Sequence, residues 1–200
     1  MSPFPLAWIY FQEGKLEFAN NHLERARELF AAAVDHAPFY LAAAGHLGEV
    51  EAALGHIDDA IARLRAVAAI AEDPDPEGQL CRILRESGRD HEARGCKARV
   101  AARYSDSLKR HPEAFWDHAA EFFLAMDEPR VALEYAKKNL NLRPTGAAFD
   151  LAIRSAMASN DPVTACANAR SSVEGSPARA SAPLVRTALE LCARPSSRKD

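Results

Sequence analysis

Several features that would indicate particular classes of protein are missing from this chain of 200 residues. Glycines number only 9, and β-branched residues are few, which disfavours a sheet protein and favours helices. No apolar run approaches the ~18 residues that a membrane helix needs. The formal net charge of −3 is too close to zero to indicate a nucleic acid or a membrane surface as the partner.

Signals for export and for catalysis are missing as well. Residues 1–5 lack the basic region and the long apolar core of a signal peptide, so we expect a cytoplasmic protein. The sequence contains no G-x-G-x-x-G, G-x-x-x-x-G-K-[ST], H-E-x-x-H or G-x-S-x-G motif. Catalysis needs a nucleophile or an acid/base pair in a pocket, and no such group stands out. We therefore expect neither enzymatic activity nor a cofactor.

The cysteines are few, and their spacing matches no known motif of paired cysteines. They are Cys81, Cys96, Cys166 and Cys192, with no C-x-x-C pair and no histidine at zinc-ligand spacing. Free structural thiols in a reducing compartment are the expectation. We expect Cys81 and Cys96 to lie on the two helices of one hairpin, where a packed pair of thiols is favoured over a disulfide and a disulfide remains the alternative.

What the sequence does contain is clearest between residues 114 and 144. Four apolar side chains fall at i, i+3, i+4 and i+7, which predicts one helix face: Trp116, Ala119, Ala120 and Phe123. Asp127-Glu128-Pro129 then ends that helix and starts another. A second apolar face follows: Val131, Ala132, Tyr135, Ala136 and Leu140. Neither helix can bury its face alone, so the pair must stack on neighbouring pairs.

The same pattern recurs along the chain at a nearly constant period. The alanine that follows each predicted hairpin turn marks the register: Ala26, Ala60, Ala93, Ala132 and Ala165, at separations of 34, 33, 39 and 33 residues. The third unit therefore carries about five extra residues, which we predict to lengthen its second helix as far as Lys109. The predicted repeats are 7–40, 41–74, 76–110, 113–145 and 146–175, followed by a capping helix at 183–193.

These motifs resemble the tetratricopeptide repeat, a pair of antiparallel helices in about 34 residues. Leu47-Gly48 matches the Leu-Gly pair of that family, and Pro38 and Pro144 match its closing proline. The resemblance implies an all-α fold, a right-handed α-solenoid of about five stacked helix pairs in a single domain, 1–200. An array of αα-hairpins without the superhelix is the alternative.

The resemblance also implies a function, because such proteins are generally scaffolds. The first helices of successive repeats line a groove that holds a peptide or a partner's helix. The repeat register places thirteen residues there: Trp8, Phe11, Lys15, Phe18, His46, Glu49, Arg82, Arg85, Asp117, His118, Glu121, Asp150 and Arg154. Ordinary solvent-facing charge is the competing interpretation for each of them. The partner is expected to be another protein or peptide carrying both signs of charge.

One known subgroup of the family clamps the C-terminal carboxylate of chaperones with Lys, Asn and Arg side chains. The corresponding positions here are Phe11, Lys15, His46, Asp75 and Gln79, of which only Lys15 agrees. The sequence therefore argues against binding of a chaperone tail.

Three further hypotheses remain open. Trp8, Phe11 and Phe18 share one helix face, which predicts an apolar patch that binds a partner or a second copy of the chain, unless the rings are core. Asp117, His118 and Glu121 can share one side of a helix and hold a metal, although a solvated polar face is favoured. The alternative to a simple scaffold is a regulatory or substrate-recruiting segment of a longer protein or enzyme.

Overall fold

The computed structural model describes residues 4–174 and 180–193, and these residues form helices and turns without a strand. The helices are α1 (Phe4–Ala19), α2 (Leu23–His36), α3 (Leu41–Ala53), α4 (Ile57–Ala68), α5 (Asp75–Glu86), α6 (Asp90–Arg110), α7 (Pro112–Ala125), α8 (Pro129–Leu142), α9 (Gly146–Ala158), α10 (Pro162–Glu174) and α11 (Ala182–Ala193). The all-α fold predicted from the sequence is confirmed. No helix in the described ranges combines the length and the apolar character needed to cross a bilayer.

Five hairpin turns share one backbone motif. Each contains a residue with positive φ: Asn21 (62°), Gly55 (89°), Gly88 (75°), Asp127 (58°) and Asn160 (56°). The next residue donates its backbone N–H to the carbonyl five positions earlier, as from His56 to Glu51 and from Asp161 to Ala156, both at 2.9 Å. This is the Schellman arrangement, which satisfies the last carbonyls of a helix and turns the chain back. The turns therefore fix antiparallel helix pairs at the places that the sequence predicted.

The described chain divides between Arg103 and Tyr104 into two compact units. In the first unit, consecutive helices from α1 to α5 pack on one another, and α3 also contacts α1 and α5. One core cluster of this unit is built on Phe11, Phe30, Leu47 and Val50. Gly48 allows α3 to approach α4 closely, since an added Cβ would lie 2.8 Å from Cγ of Leu64.

Helix α6 has 21 residues and ends at Arg110, so the prediction of a lengthened second helix in the third repeat is confirmed. Within the first unit, Arg103 of α6 contacts the segment between α4 and α5. The guanidinium of Arg103 donates to the carboxylate of Glu77 at 2.9 Å and to the carbonyls of Ala71, Glu72 and Asp73 at 2.8–3.2 Å. This one side chain therefore holds the link between α4 and α5.

In the second unit, consecutive helices from α7 to α11 pack on one another, and α9 also contacts α7 and α11. Phe149, Ile153, Leu133 and Val185 contribute large side chains to its core. The hydroxyl of Thr145 accepts a hydrogen bond from the N–H of Ala148 and so caps α9. The predicted capping helix corresponds to α11. The single repeat domain and its repeat boundaries remain predictions.

Two expectations need correction. All four cysteines are paired, Cys81 with Cys96 and Cys166 with Cys192, so the prediction of free thiols is wrong. Phe11 is only 7% exposed, because Ala7, Phe11 and Gly14 form the buried side of α1. Gly14 lies against the ring of Phe30, and this contact sets the rotation of α1 so that Phe11 belongs to the core rather than to an open aromatic patch.

Candidate functional site: the first helices of the hairpins

The first helix of each hairpin contacts the first helix of the next one within its unit. In the first unit these contacts join α1, α3 and α5, and in the second they join α7 and α9. The thirteen residues predicted for partner binding all lie on these helices. The structure divides them into residues that connect neighbouring hairpins and residues that lie at the surface.

His46 and Glu49 lie at the centre of a connecting cluster in the first unit. The ring of His46 packs against Phe11 and Phe30, at centroid distances of 5.3 and 5.4 Å. Its Nδ1 lies 2.8 Å from one carboxylate oxygen of Glu49. The other oxygen accepts a hydrogen bond of 2.8 Å from Arg82 of α5. The cluster therefore links the aromatic core of α1 and α2 to α3 and α5.

The environment of Glu49 favours its charged form. Burial alone would raise the pKa of this carboxyl, but the hydrogen bond and charge of His46 and those of Arg82 outweigh burial and lower the pKa. Glu49 is 14% exposed at its side chain and Arg82 is 33% exposed. The pair is thus shielded from water more than most surface ion pairs, which are worth little in free energy.

The second unit repeats this ion pair at the matching position. Arg154 of α9 donates from both terminal nitrogens to the carboxylate of Glu121 on α7. The residues of each pair, Glu49 with Arg82 and Glu121 with Arg154, are 33 positions apart. That separation is one repeat, so the same acid and the same base occupy equivalent places in both units. These charges connect successive hairpins.

The other predicted residues of the first unit differ in their exposure to solvent. Trp8 is 50% exposed, whereas Phe18 is half-buried against the core cluster around Phe11. The Nζ of Lys15 lies 5.0 Å from the centroid of the Phe11 ring, a cation–π contact at the surface. Arg85 is half-buried on α5. Only Trp8 and Lys15 are therefore exposed members of the predicted set on α1.

An open cleft of about 400 Å³ lies in the second unit between α7, the end of α8 and the start of α9. Polar and apolar side chains line it together: Asp117, His118, Glu121, Asn139, Arg143, Thr145, Ala147, Ala148 and Leu151. Three of these were predicted for partner binding, namely Asp117, His118 and Glu121. Asp150 does not line it, because its carboxylate accepts the backbone N–H of Ser181 at 2.7 Å.

Three polar residues of this cleft escaped prediction: Asn139, Arg143 and Thr145, whose hydroxyl caps α9. Asn139 is 4% exposed, and its side-chain oxygen accepts from the Nε and Nη2 of Arg143 at 3.2 and 2.9 Å. Nη2 of Arg143 also donates to the carbonyl of Glu113 at 2.9 Å and lies 3.6 Å from Asp117. The sequence does contain one indication of this site, because Asn139 is a polar residue that interrupts the apolar face of α8 next to Ala136. Arg143 was interpreted only as part of the stretch that ends the repeat.

The proposed metal ligands do not form a binding site. No group of three or more His, Cys, Asp or Glu side chains within residues 4–174 and 180–193 has the geometry to hold a metal ion. Glu121 faces the guanidinium of Arg154 instead, and Asp117 lies near that of Arg143. The two carboxylates are thus paired with arginines, and the described residues give no support to the proposed metal site.

Comparison with solved structures identifies the fold. The thermophilic TPR protein TTC0263 of Thermus thermophilus matches with a TM-score of 0.68 at 15% identity, over 93% of this chain and 98% of that one. The chain has a tetratricopeptide-repeat fold. PilF of Pseudomonas aeruginosa matches with a TM-score of 0.53 at 18% identity, over 96% of this chain and 83% of that one. No protein-family model and no curated protein matches the sequence.

The tetratricopeptide-repeat fold gives the cleft its context. At these identities the likeness concerns the backbone, so any binding role must be argued from the side chains of this chain. The cleft lies where the first helices of two successive repeats meet the turn that joins them. It contains a cation, two carboxylates and an amide beside the apolar side chain of Leu151.

Proposed function

We propose that this protein is a non-catalytic scaffold that binds a peptide or a partner's helix on the first helices of its repeats. The observation that carries the proposal is the open cleft of about 400 Å³ bordered by α7, α8 and α9. Its volume falls within the range of binding pockets, about 300–1,000 Å³. A tetratricopeptide-repeat fold supports the proposal because its rigid hairpins present such surfaces without needing a catalytic group.

The chemistry of the cleft favours a segment that carries both charged and apolar side chains. Asp117 and Arg143 offer opposite charges, and Leu151 supplies an apolar contact. The side-chain hydrogen bonds of Asn139 within the described residues use its oxygen. The amide hydrogens of Asn139 therefore suit a backbone carbonyl of the bound segment. The ion pairs of Glu49 and Glu121 position the helices and are not the primary contacts.

A steric block tests this proposal without removing a charge. Ala147→Trp places a large side chain in the cleft, and Ala158→Trp places the same side chain at an exposed position on the other end of α9. Proteins cross-linked to the parent in the cells that make it are identified, and a segment from each is then measured by calorimetry. We expect Ala147→Trp to weaken binding at least about tenfold, or 1.4 kcal/mol, and Ala158→Trp to leave it unchanged. Equal binding by both variants would show that the partner does not bind in the cleft.

The same surface serves the alternative in which the chain recruits substrates for a longer protein or enzyme. The cross-linked proteins distinguish the two. If an activity attached to this chain modifies the cross-linked proteins, the chain recruits substrates. If the cross-linked proteins stay bound and unmodified, the chain is a simple scaffold.

We also propose self-association through α1. Its outward side carries several exposed apolar side chains: Leu6, Trp8, Ile9 and Leu16, with exposures of 41–61%. An exposed apolar surface of this kind is typical of a contact site. A second copy of the chain would cover it with an identical surface, as in a symmetric dimer. Phe11, which is core, takes no part in this contact.

A further inference from the structure

The four cysteines form two bonds of the same kind. Cys81 on α5 is joined to Cys96 on α6, with 5.5 Å between their Cα atoms, and Cys166 on α10 to Cys192 on α11, with 5.9 Å. Both Cα distances lie within the range of native disulfides. Each bond joins two consecutive helices, and no cysteine is left over.

One helix of each bonded pair buries few large apolar side chains. Helix α10 buries only Ala165, Ala169 and Ser172. The part of α6 within the first unit buries Ala93 and Val100 beside Cys96.

Two hairpins without cysteine are held by aromatic contacts. The rings of Phe11 and Phe30 meet between α1 and α2, with centroids 5.9 Å apart. Those of Phe123 and Tyr135 meet between α7 and α8 at the same distance. Each covalent bond thus anchors a helix that buries few large apolar side chains, which fits a structural role for the bonds.

We propose that this protein matures in an oxidising compartment, where both bonds are formed by a thiol–disulfide oxidoreductase in its disulfide form. One thiolate of a pair attacks the disulfide of the oxidant, and a mixed disulfide results. The second thiolate then attacks that mixed bond and releases the oxidant as a dithiol. The two thiols of this chain lose two protons and two electrons for each bond, and the oxidant accepts them.

Burial separates structural bonds from a reversible redox site. Cys81 and Cys96 are 0% and 1% exposed, so the folded protein offers no access to an attacking thiolate. Their bond must form before α5 and α6 close on each other. Cys166 and Cys192 are half-buried, and their bond is therefore the first to yield to an added reductant. The presence of two disulfides argues against the expectation of a cytoplasmic protein, since reducing compartments keep such pairs as thiols.

The state of the thiols in the native protein tests the proposal directly. The full chain is alkylated in lysates of the cells that make it, before and after denaturation, and its peptides are mapped by mass spectrometry. We expect no alkylated cysteine without reductant, and linked peptides that contain Cys81 with Cys96 and Cys166 with Cys192. Alkylation of all four cysteines in the denatured, unreduced protein would overturn the proposal, as would any other pairing.

The role as staples is tested on protein that has already folded. A mild reductant should open Cys166–Cys192 first, and complete reduction in denaturant should raise the unfolding equilibrium constant at least about tenfold. Cys166→Ala with Cys192→Ala should reproduce the first step without reductant and show no response to the mild treatment. Unchanged unfolding of the parent after full reduction would show that the bonds contribute nothing to the fold.

Discussion

At the scale of single residues, the carboxylate of Glu49 joins an imidazole on its own helix to a guanidinium on the next first helix. Its lowered pKa means that the folded state favours the charged form. Glu49→Gln keeps the shape but removes the charge. We expect it to reduce the free energy of unfolding at pH 7 by about 1–3 kcal/mol, measured by urea denaturation. Glu28→Gln, at an exposed pair with Arg25 on α2, is the control and should change it by less than about 0.5 kcal/mol.

The pH dependence of this difference has a defined sign. The folded pKa of Glu49 lies below the unfolded value, so its stabilisation is complete above the unfolded carboxyl pKa of about 4.3. It is lost as the pH falls through the folded pKa. The gap between the parent and Glu49→Gln should therefore be constant near neutrality and shrink below about pH 4. A gap that grows with acid would contradict the assigned role of His46 and Arg82.

Two helical glycines provide a second residue-scale prediction. A Cβ at Gly48 would lie 2.8 Å from Leu64, whereas the nearest atom to a Cβ at Gly95 is Nη1 of Arg99, at 3.9 Å. Gly48→Ala should therefore destabilise the protein by about 1–3 kcal/mol through overpacking. Gly95→Ala should stabilise it by about 0.5–1 kcal/mol, because alanine favours a helix interior. Thermal denaturation of both variants checks this. A loss of stability in both variants would show that helix propensity does not determine the effect of the substitution at Gly95.

At the scale of elements, α6 positions Arg103 over the link between α4 and α5. Arg103→Ala removes four hydrogen bonds to Glu77 and to the carbonyls of residues 71–73. We expect a loss of about 2 kcal/mol and faster amide hydrogen exchange in residues 69–75. Arg99→Ala removes a more exposed contact to the same Glu77 and is the matched control. Equal exchange in the two variants would mean that the carbonyl contacts do not hold the link.

The elements were predictable where short signals decide the structure. Each hairpin turn has Gly, Asn or Asp at its positive-φ residue, and the alanine spacing revealed the extra length of α6. The rotation of α1 was not predictable, because Glu13 and Glu17 obscured the period and the packing of Phe30 against Gly14 settled it. Cysteine pairing also depends on how helices meet in space. For the same reason Asn139 and Arg143 entered the candidate site only through the structure.

At the scale of the whole molecule, the repeats use the same first helices for two purposes. A Glu–Arg pair one repeat apart holds neighbouring hairpins together in each unit. Side chains beside the second of these pairs, such as Asn139 and Arg143, line the cleft that we propose for a partner. Variants that disturb the pairs should therefore lower stability and binding together, whereas Ala147→Trp should lower binding alone. This separation makes a binding defect interpretable.

The apolar outer side of α1 gives the last prediction at this scale. Ile9 and Leu16 are seven residues apart on one helix face and are 46% and 61% exposed. If a second copy covers this face, Ile9→Lys with Leu16→Lys should raise the dimer dissociation constant by at least about a hundredfold, or 2.7 kcal/mol, because two charges per chain would be buried. Val163→Lys, at an isolated apolar residue of α10 that is 78% exposed, should leave association unchanged. Sedimentation velocity over a concentration series measures both, with helix content checked by circular dichroism. A parent protein that stays monomeric at every concentration would show that water, rather than a second copy, covers α1.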